Sequence, residues 1–304
     1  MLDSRITEQR NPRSAGIDLA SPEEIVALIN AEDALVATAV ATQAPQIAKA
    51  IEMAEQTFRA GGRLFYIGAG TSGRLGVLDA SECPPTYGVD PDMVQGIIAG
   101  GHAALTRAQE GAEDRPDGAR DDMDKYGVRA GDFVIGIAAS GTTPYVRAGL
   151  EHARRLGART AIVACSPPPK ETLDAADVAI VPITGPEIVT GSTRMKAGTA
   201  TKLVLNTITT GAMIRLGKTY GNIMVDLQAT NEKLRDRSER ILRVVCGVSR
   251  EQARELLDAS GKSVKTAIVM QKLGVGRDEA LRRLAEHGGV IRRVIPDAPP
   301  PVGE

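Results

Sequence analysis

Leu64-Phe65-Tyr66-Ile67-Gly68-Ala69-Gly70-Thr71-Ser72-Gly73-Arg74 is the stretch from which the fold is read. Its first four residues are apolar or aromatic and are bounded by glycine, the pattern of a short buried strand. The glycine- and hydroxyl-rich run that follows suits a tight strand-to-helix turn whose backbone can approach a ligand. Gly68, Gly70 and Gly73 match the glycine places of a dinucleotide fingerprint, but the match fails in detail. Thr71 and Ser72 occupy the turn, and the next acids, Asp79 and Glu82, do not end a second strand. Hydroxyls beside a helix N-terminus instead suit a phosphate.

Outward from this turn, β-rich runs recur at Leu64–Ile67, Val94–Ala99, Phe133–Ala138, Thr160–Ala164 and Val178–Ile183, separated by segments of helical spacing. Strands alternating with helices predict an α/β fold with a parallel sheet covered on both faces. Before the first strand, two helices are expected between Ser21 and Ala60; Ser21-Pro22-Glu23-Glu24 supplies an N-cap, a proline and first-turn acids. Residues 190–217 turn from polar to apolar and predict a packed helix. Beyond Glu232 the chain is charge-dense and helical with no strand signal. The expected division is therefore 1–54, N-terminal helices packing on the main domain; 55–230, the ligand-binding α/β domain; 231–295, a small helical domain; and 296–304, a proline-rich disordered tail.

Two further loops repeat the chemistry of the first. Ala139-Ser140-Gly141-Thr142-Thr143-Pro144 follows a strand and opens a helix, and Thr190-Gly191-Ser192-Thr193-Arg194-Met195-Lys196 adds two cations to its hydroxyls. Taken singly, each loop reads equally well as a cap or turn. Together they nominate Gly70, Thr71, Ser72, Ser140, Gly141, Thr142, Thr143, Ser192, Arg194 and Lys196 as binding residues for a phosphorylated ligand.

Composition narrows the function. Lys and Arg number 37 against 38 Asp and Glu, so no global field exists to hold nucleic acid or an anionic membrane. The apolar runs are too short to cross a bilayer, and the N-terminus lacks the layout of a secretory signal, so a cytoplasmic protein is expected. Cys83, Cys165 and Cys246 have neither disulfide nor metal-ligand spacing, and His102, His152 and His287 are too scattered for a triad; no metal is expected. His102, after Gly100-Gly101 at a strand end, is an outside candidate, as is Lys233.

The string from Gly68 to Gly76, continued through Asp79-Ala80-Ser81-Glu82-Cys83-Pro84-Pro85-Thr86-Tyr87-Gly88, resembles the signature of N-acetylmuramic acid 6-phosphate etherases. The resemblance continues at Glu110–Asp114, Gly136–Val146, Gly191–Thr199, Asn222–Asp226, Ala229–Leu234 and His287–Gly289, and so runs from about Thr7 to about Val294. Thr142 and the proline-rich tail depart from the family pattern and touch no expected catalytic group. The resemblance implies a sugar isomerase (SIS) type three-layer α/β sandwich around a parallel sheet, a small C-terminal helical domain, a homodimer and a sugar-phosphate substrate. It also implies a cofactor-free reaction that removes the D-lactyl ether from carbon 3 of the sugar.

Opening the sugar ring exposes an aldehyde that acidifies the carbon 2 hydrogen, so elimination across carbons 2 and 3 needs a base at carbon 2 and an acid at the lactyl oxygen. Carried over from the family, the acid falls on Glu82 and the base on Glu113. Glu82 lies among Cys83, Pro84 and Pro85, surroundings compatible with a partly desolvated carboxyl. Without the resemblance, either would be one of 38 acidic residues, most of which are solvated surface charges. A helix running from Thr71 to Glu82 would carry the acid roughly 15 Å from the hydroxyl loop. Either that helix ends early, or a partner subunit's Glu82 completes the site. The same fold serves aldose–ketose isomerases, which use a base at carbon 2 but no acid aimed at carbon 3, and non-catalytic sugar-phosphate sensors, which need the loops without the acid and base.

Overall fold

The computed structural model describes residues 5–227 and 232–300. Two compact units emerge: residues up to Ser81 with Pro91–Thr209, and Glu82–Asp90 with the described residues from Thr210 onward.

The first unit opens with single 3₁₀ turns at Ile6–Glu8, Pro12–Ser14 and Ile17–Leu19, then helices α1 (Pro22–Asp33), α2 (Val36–Ala41) and α3 (Ala44–Arg59). Ser21 and Glu24 form the expected capping box at α1. Three helices stand where two were expected, because Pro45 starts α3 afresh after the turn at Thr42-Gln43. The chain continues through β1 (Leu64–Gly68), α4 (Gly70–Tyr87), β2 (Val94–Ile98), α5 (Pro116–Lys125), β3 (Phe133–Ile137), α6 (Pro144–Arg155), β4 (Arg159–Val163), α7 (Lys170–Asp174), β5 (Val178–Ile180) and α8 (Lys196–Arg215). The strands form one parallel sheet in the order β2-β1-β3-β4-β5, with Tyr66 paired to Gly96 and Ile135, and Ile67 to Ile97 and Gly136.

Both faces are dry, which is why the strands read as continuous apolar runs. Phe65, Ile67, Val134 and Ile162 pack with Met123 of α5 and Tyr145, Val146 and Leu150 of α6. On the opposite face α4 lies close: a Cβ on Gly73 would meet the Gly68 carbonyl at 2.6 Å, and one on Gly96 would meet Val77 Cα at 2.6 Å. Helices on both sides of the sheet make the expected three layers.

A polar knot ties α4 to β1 and α8 inside this packing. The buried Asp79 carboxylate accepts from Tyr66 OH at 2.8 Å, Asn206 Nδ2 at 2.5 Å and Thr209 Oγ1 at 3.1 Å.

In the second unit a two-stranded pair, β6 (Thr219–Tyr220) and β7 (Ile223–Met224), precedes helices α9 (Glu232–Cys246), α10 (Arg250–Ala259), α11 (Val264–Leu273), α12 (Arg277–Glu286) and α13 (Ile291–Val294). Tyr220, Leu242, Ile268, Ala280 and Ile291 belong to its core. Strands of two residues leave no periodicity to detect, so the sequence reading missed them. The proline-rich segment expected to be disordered from 296 is anchored as far as it is described: Tyr220 OH donates to the Asp297 carbonyl at 2.8 Å, and Pro299 lies against Gly221. The motif residues Ala229–Asn231, the side chain of Lys233 and residues 301–304 lie outside the described residues. No single helix among the described residues is long and apolar enough to cross a bilayer.

Burial holds the Asp79 carboxyl above its ordinary value, against the hydrogen bonds from Tyr66, Asn206 and Thr209 that favour its charge. With the folded value above the unfolded one, the folded state binds the proton more tightly. Its stabilisation is therefore full below the ordinary carboxylate range and declines as pH rises through the folded value. Asp79→Asn keeps the shape and an acceptor for Asn206, and we expect it to remove that decline. Urea unfolding across a pH series checks this: a wild-type-minus-variant stability difference that does not change with pH contradicts it.

Candidate active site

Parallel strands that leave a sheet in opposite directions open a crevice at their carboxyl ends, and here the reversal falls between β1 and β3. A cavity of about 380 Å³ occupies that place, lined by Ala69-Gly70-Thr71-Ser72 after β1 and by Ala139, Ser140, Thr142, Thr143 and Pro144 after β3. Each loop opens a helix, α4 or α6, whose first backbone N–H groups lack acceptors within the helix. Gly191 and Thr193, before α8, close a third side.

Local chemistry shapes these loops. Ser140 Oγ lies 2.9 Å from Thr142 Oγ1 and also accepts from Thr142 N–H at 3.3 Å, a hydroxyl turn that aligns both side chains. Gly141 does not line the cavity; it is the pivot, at φ 75°, and a Cβ there would meet Pro168 Cα at 2.8 Å. Its carbonyl accepts from Thr172 Oγ1 at 3.3 Å.

Glu113 and Asp114 border the cavity from the 3₁₀ turn Ala112–Asp114, which Gly111 enters at φ 69°, a conformation that favours glycine. Glu113 is exposed and also borders a second, smaller cavity of about 270 Å³, which shares Ala69 and Gly70 with the first.

Arg5 and Glu8 complete the larger cavity, and the sequence reading missed them. Distant hydrogen bonds deliver them: Thr7 N–H to Ser166 Oγ at 3.2 Å, Asn11 Nδ2 to the Pro186 carbonyl at 3.2 Å and Ser14 Oγ to the Ile188 carbonyl at 2.7 Å. No motif within 5–14 announces those partners.

Several predicted residues stand elsewhere. Ser192 and Arg194 do not line the cavity, although their neighbours Gly191 and Thr193 do. Arg194 points to solvent. Lys196 is corrected from ligand-binding cation to buried structural one: it is 2% exposed, its ammonium bonds to Glu32 and donates to the Thr184 carbonyl at 2.8 Å, and its backbone N–H donates to Glu187 at 3.0 Å. Glu187 also receives Ala197 N–H at 2.9 Å and so caps α8. Burial pushes the Glu32 carboxyl up, but the Lys196 bond and charge, helped by Asn11 and Arg13, hold it below the usual range.

Glu82 is exposed, not desolvated, and lies on α4, which runs unbroken from Gly70 to Tyr87 despite Pro84 and Pro85. A rise of 1.5 Å per residue carries it about 18 Å along the axis from Gly70, so the expectation of an early helix end is withdrawn. His102 is exposed on the turn His102–Leu105 and lines neither cavity.

An open parallel sheet with a hydroxyl-lined crevice at its switch point defines a doubly wound α/β protein. A glucokinase regulatory protein N-terminal SIS domain matches residues 25–154. Across the whole chain, the N-acetylmuramic acid 6-phosphate etherase of Rhodopirellula baltica is 54% identical over 97% of this chain and 97% of its own. Those of Vibrio vulnificus and Escherichia coli are 52% and 53% identical over 97% of this chain and 98% of theirs. Among solved structures, a phosphoheptose isomerase from Neisseria gonorrhoeae is 16% identical with a TM-score of 0.48, covering 63% of this chain and 98% of its own. The chain belongs to the N-acetylmuramic acid 6-phosphate etherase family.

Removing one partner of a buried ion pair costs up to about 3–5 kcal/mol, and here it leaves the Glu32 carboxylate with Arg13, whose Nε lies 2.8 Å away and whose side chain is largely exposed. We expect Lys196→Met to lower unfolding stability by that amount, while Arg194→Ala, on the surface, stays within about 0.5 kcal/mol of wild type. Chemical denaturation of the three proteins is the check, and an unchanged midpoint for Lys196→Met returns that residue to a ligand-binding role.

Proposed function

We propose that the chain is an N-acetylmuramic acid 6-phosphate etherase, a carbon–oxygen lyase that gives N-acetylglucosamine 6-phosphate and D-lactate. The observation that carries this is its identity of more than half, across 97% of its length, to etherases of that name. The cavity's chemistry is consistent with it. Thr71, Ser72, Ser140, Thr142 and Thr143, with the starts of α4 and α6, offer donors to a phosphate, and Arg5 lines the same cavity.

In this reading the phosphate sits among the hydroxyls and Glu113, at the cavity's edge, takes the carbon 2 proton from the ring-opened sugar. The aldehyde accepts the developing charge, and the carbon 3–oxygen bond breaks as Glu82 gives the lactyl oxygen a proton. Water then adds at carbon 3 of the unsaturated aldehyde with the acid and base roles reversed. No step calls on a metal or organic cofactor. Since α4 is continuous and Glu82 exposed, we assign the acid to the Glu82 of a partner subunit in a homodimer. The protein would act in the cytoplasm on sugars released during peptidoglycan recycling.

A second reading, a non-catalytic sugar-phosphate sensor, draws on the match of residues 25–154 to a regulatory protein's domain. Lactate release separates the two. We expect wild type to release D-lactate from N-acetylmuramic acid 6-phosphate, and Glu113→Gln and Glu82→Gln to lower kcat about 10²–10⁴-fold without loss of fold. A folded wild type that binds the sugar but releases no lactate favours the sensor. Mixed dimers of Glu82→Gln chains with Thr71→Ala/Ser72→Ala chains should regain activity if sites are shared; none regained from folded heterodimers argues against the partner's acid.

A further inference from the structure

The smaller cavity contains a cation to which the steps above give no task. Arg74 lies one helical turn beyond Gly70 on α4 and lines this cavity with Ala104, Ala108, Gln109 and the carboxylate-bearing Glu110. Its Nε donates to the Leu105 carbonyl at 3.0 Å, which anchors the guanidinium at the root. Among the described residues no carboxylate pairs with it. A half-buried arginine without an acidic partner, fixed on one edge, offers its remaining N–H fork to a planar anion.

What that anion is follows from the common wall. Glu113, Ala69 and Gly70 border both cavities, so a ligand whose phosphate occupies the hydroxyl loops has its reacting carbons beside Glu113 and any carbon 3 substituent directed toward Arg74. The substituent of muramic acid is a lactyl ether, a methyl group and a carboxylate on one carbon. The alanines of the smaller cavity suit the methyl, and Arg74 suits the carboxylate.

Resting on the etherase reading, we propose that Arg74 binds the lactyl carboxylate and makes the smaller cavity the compartment that selects acid-bearing sugars. Arg74 is thereby a specificity residue: it touches the leaving group, while proton transfer belongs to the two glutamates.

The test compares wild type with Arg74→Gln and Arg74→Lys, circular dichroism first establishing that each folds. Calorimetric binding of N-acetylglucosamine 6-phosphate, which lacks the lactyl group, should be the same in all three. Inhibition by D-lactate should weaken about ten- to a hundred-fold in Arg74→Gln, with Arg74→Lys recovering part, as for a hydrogen-bonded charge pair. KM for N-acetylmuramic acid 6-phosphate should rise similarly, and the wild type's preference for that substrate over its lactyl amide should vanish. If Arg74→Gln instead weakens N-acetylglucosamine 6-phosphate, the arginine serves the phosphate and the inference is overturned. Unchanged lactate inhibition and an unchanged acid-over-amide preference overturn it too. Failure of wild type to process the substrate at all strikes the etherase reading, a separate outcome.

Discussion

Everything at the candidate site depends on one topological fact: β1 and β3 are hydrogen-bonded neighbours whose chains leave the sheet in opposite directions. Their register, Leu64 to Phe133 through Gly68 to Ile137, brings both carboxyl ends to the same level. Two helix starts therefore face one space. Backbone N–H groups and hydroxyls from both loops line the same cavity.

Holding α4 so close to the strands requires residues that give way to backbone, and burying a sheet on both faces requires its polar exceptions to be tied down. Gly73 and Gly96 meet the first need. Asp79, held by Tyr66, Asn206 and Thr209, meets the second and fastens α4 to α8. At the opposite end of the strands Asp132 receives Arg63 and the Arg129 N–H, so the amino ends are pinned while the carboxyl ends stay open to ligand. Stability and function are thus divided between the two edges of one sheet.

How much was legible in the sequence follows from the range of the forces involved. The five strands and the loops at 69–72 and 139–144 could be read because buried strands are apolar throughout and a strand-to-helix turn is written in adjacent residues. Arg5 and Glu8 could not, since their place depends on hydrogen bonds to Ser166, Pro186 and Ile188, more than a hundred residues away. Lys196 was misread for a related reason. A cation among hydroxyls reads as a ligand group, and only tertiary structure shows its ammonium enclosed by Glu32 and Thr184.

The same distinction explains the division of labour proposed for the cations. Lys196 is inside, and the acids around it have already met its charge; bringing a phosphate to it would break a buried pair that costs several kcal/mol to disrupt. Arg74 is half exposed, anchored through one nitrogen to a carbonyl, and faces a cavity. Of the two, the one whose charge has no internal partner is the one able to recognise an anionic ligand. Charge type and spacing in the sequence cannot separate such residues, because both are basic side chains in glycine- and hydroxyl-rich segments. Burial and pairing can, and they favour Arg74, one turn into α4, over Lys196 of the third loop as the cation left available to an anionic ligand.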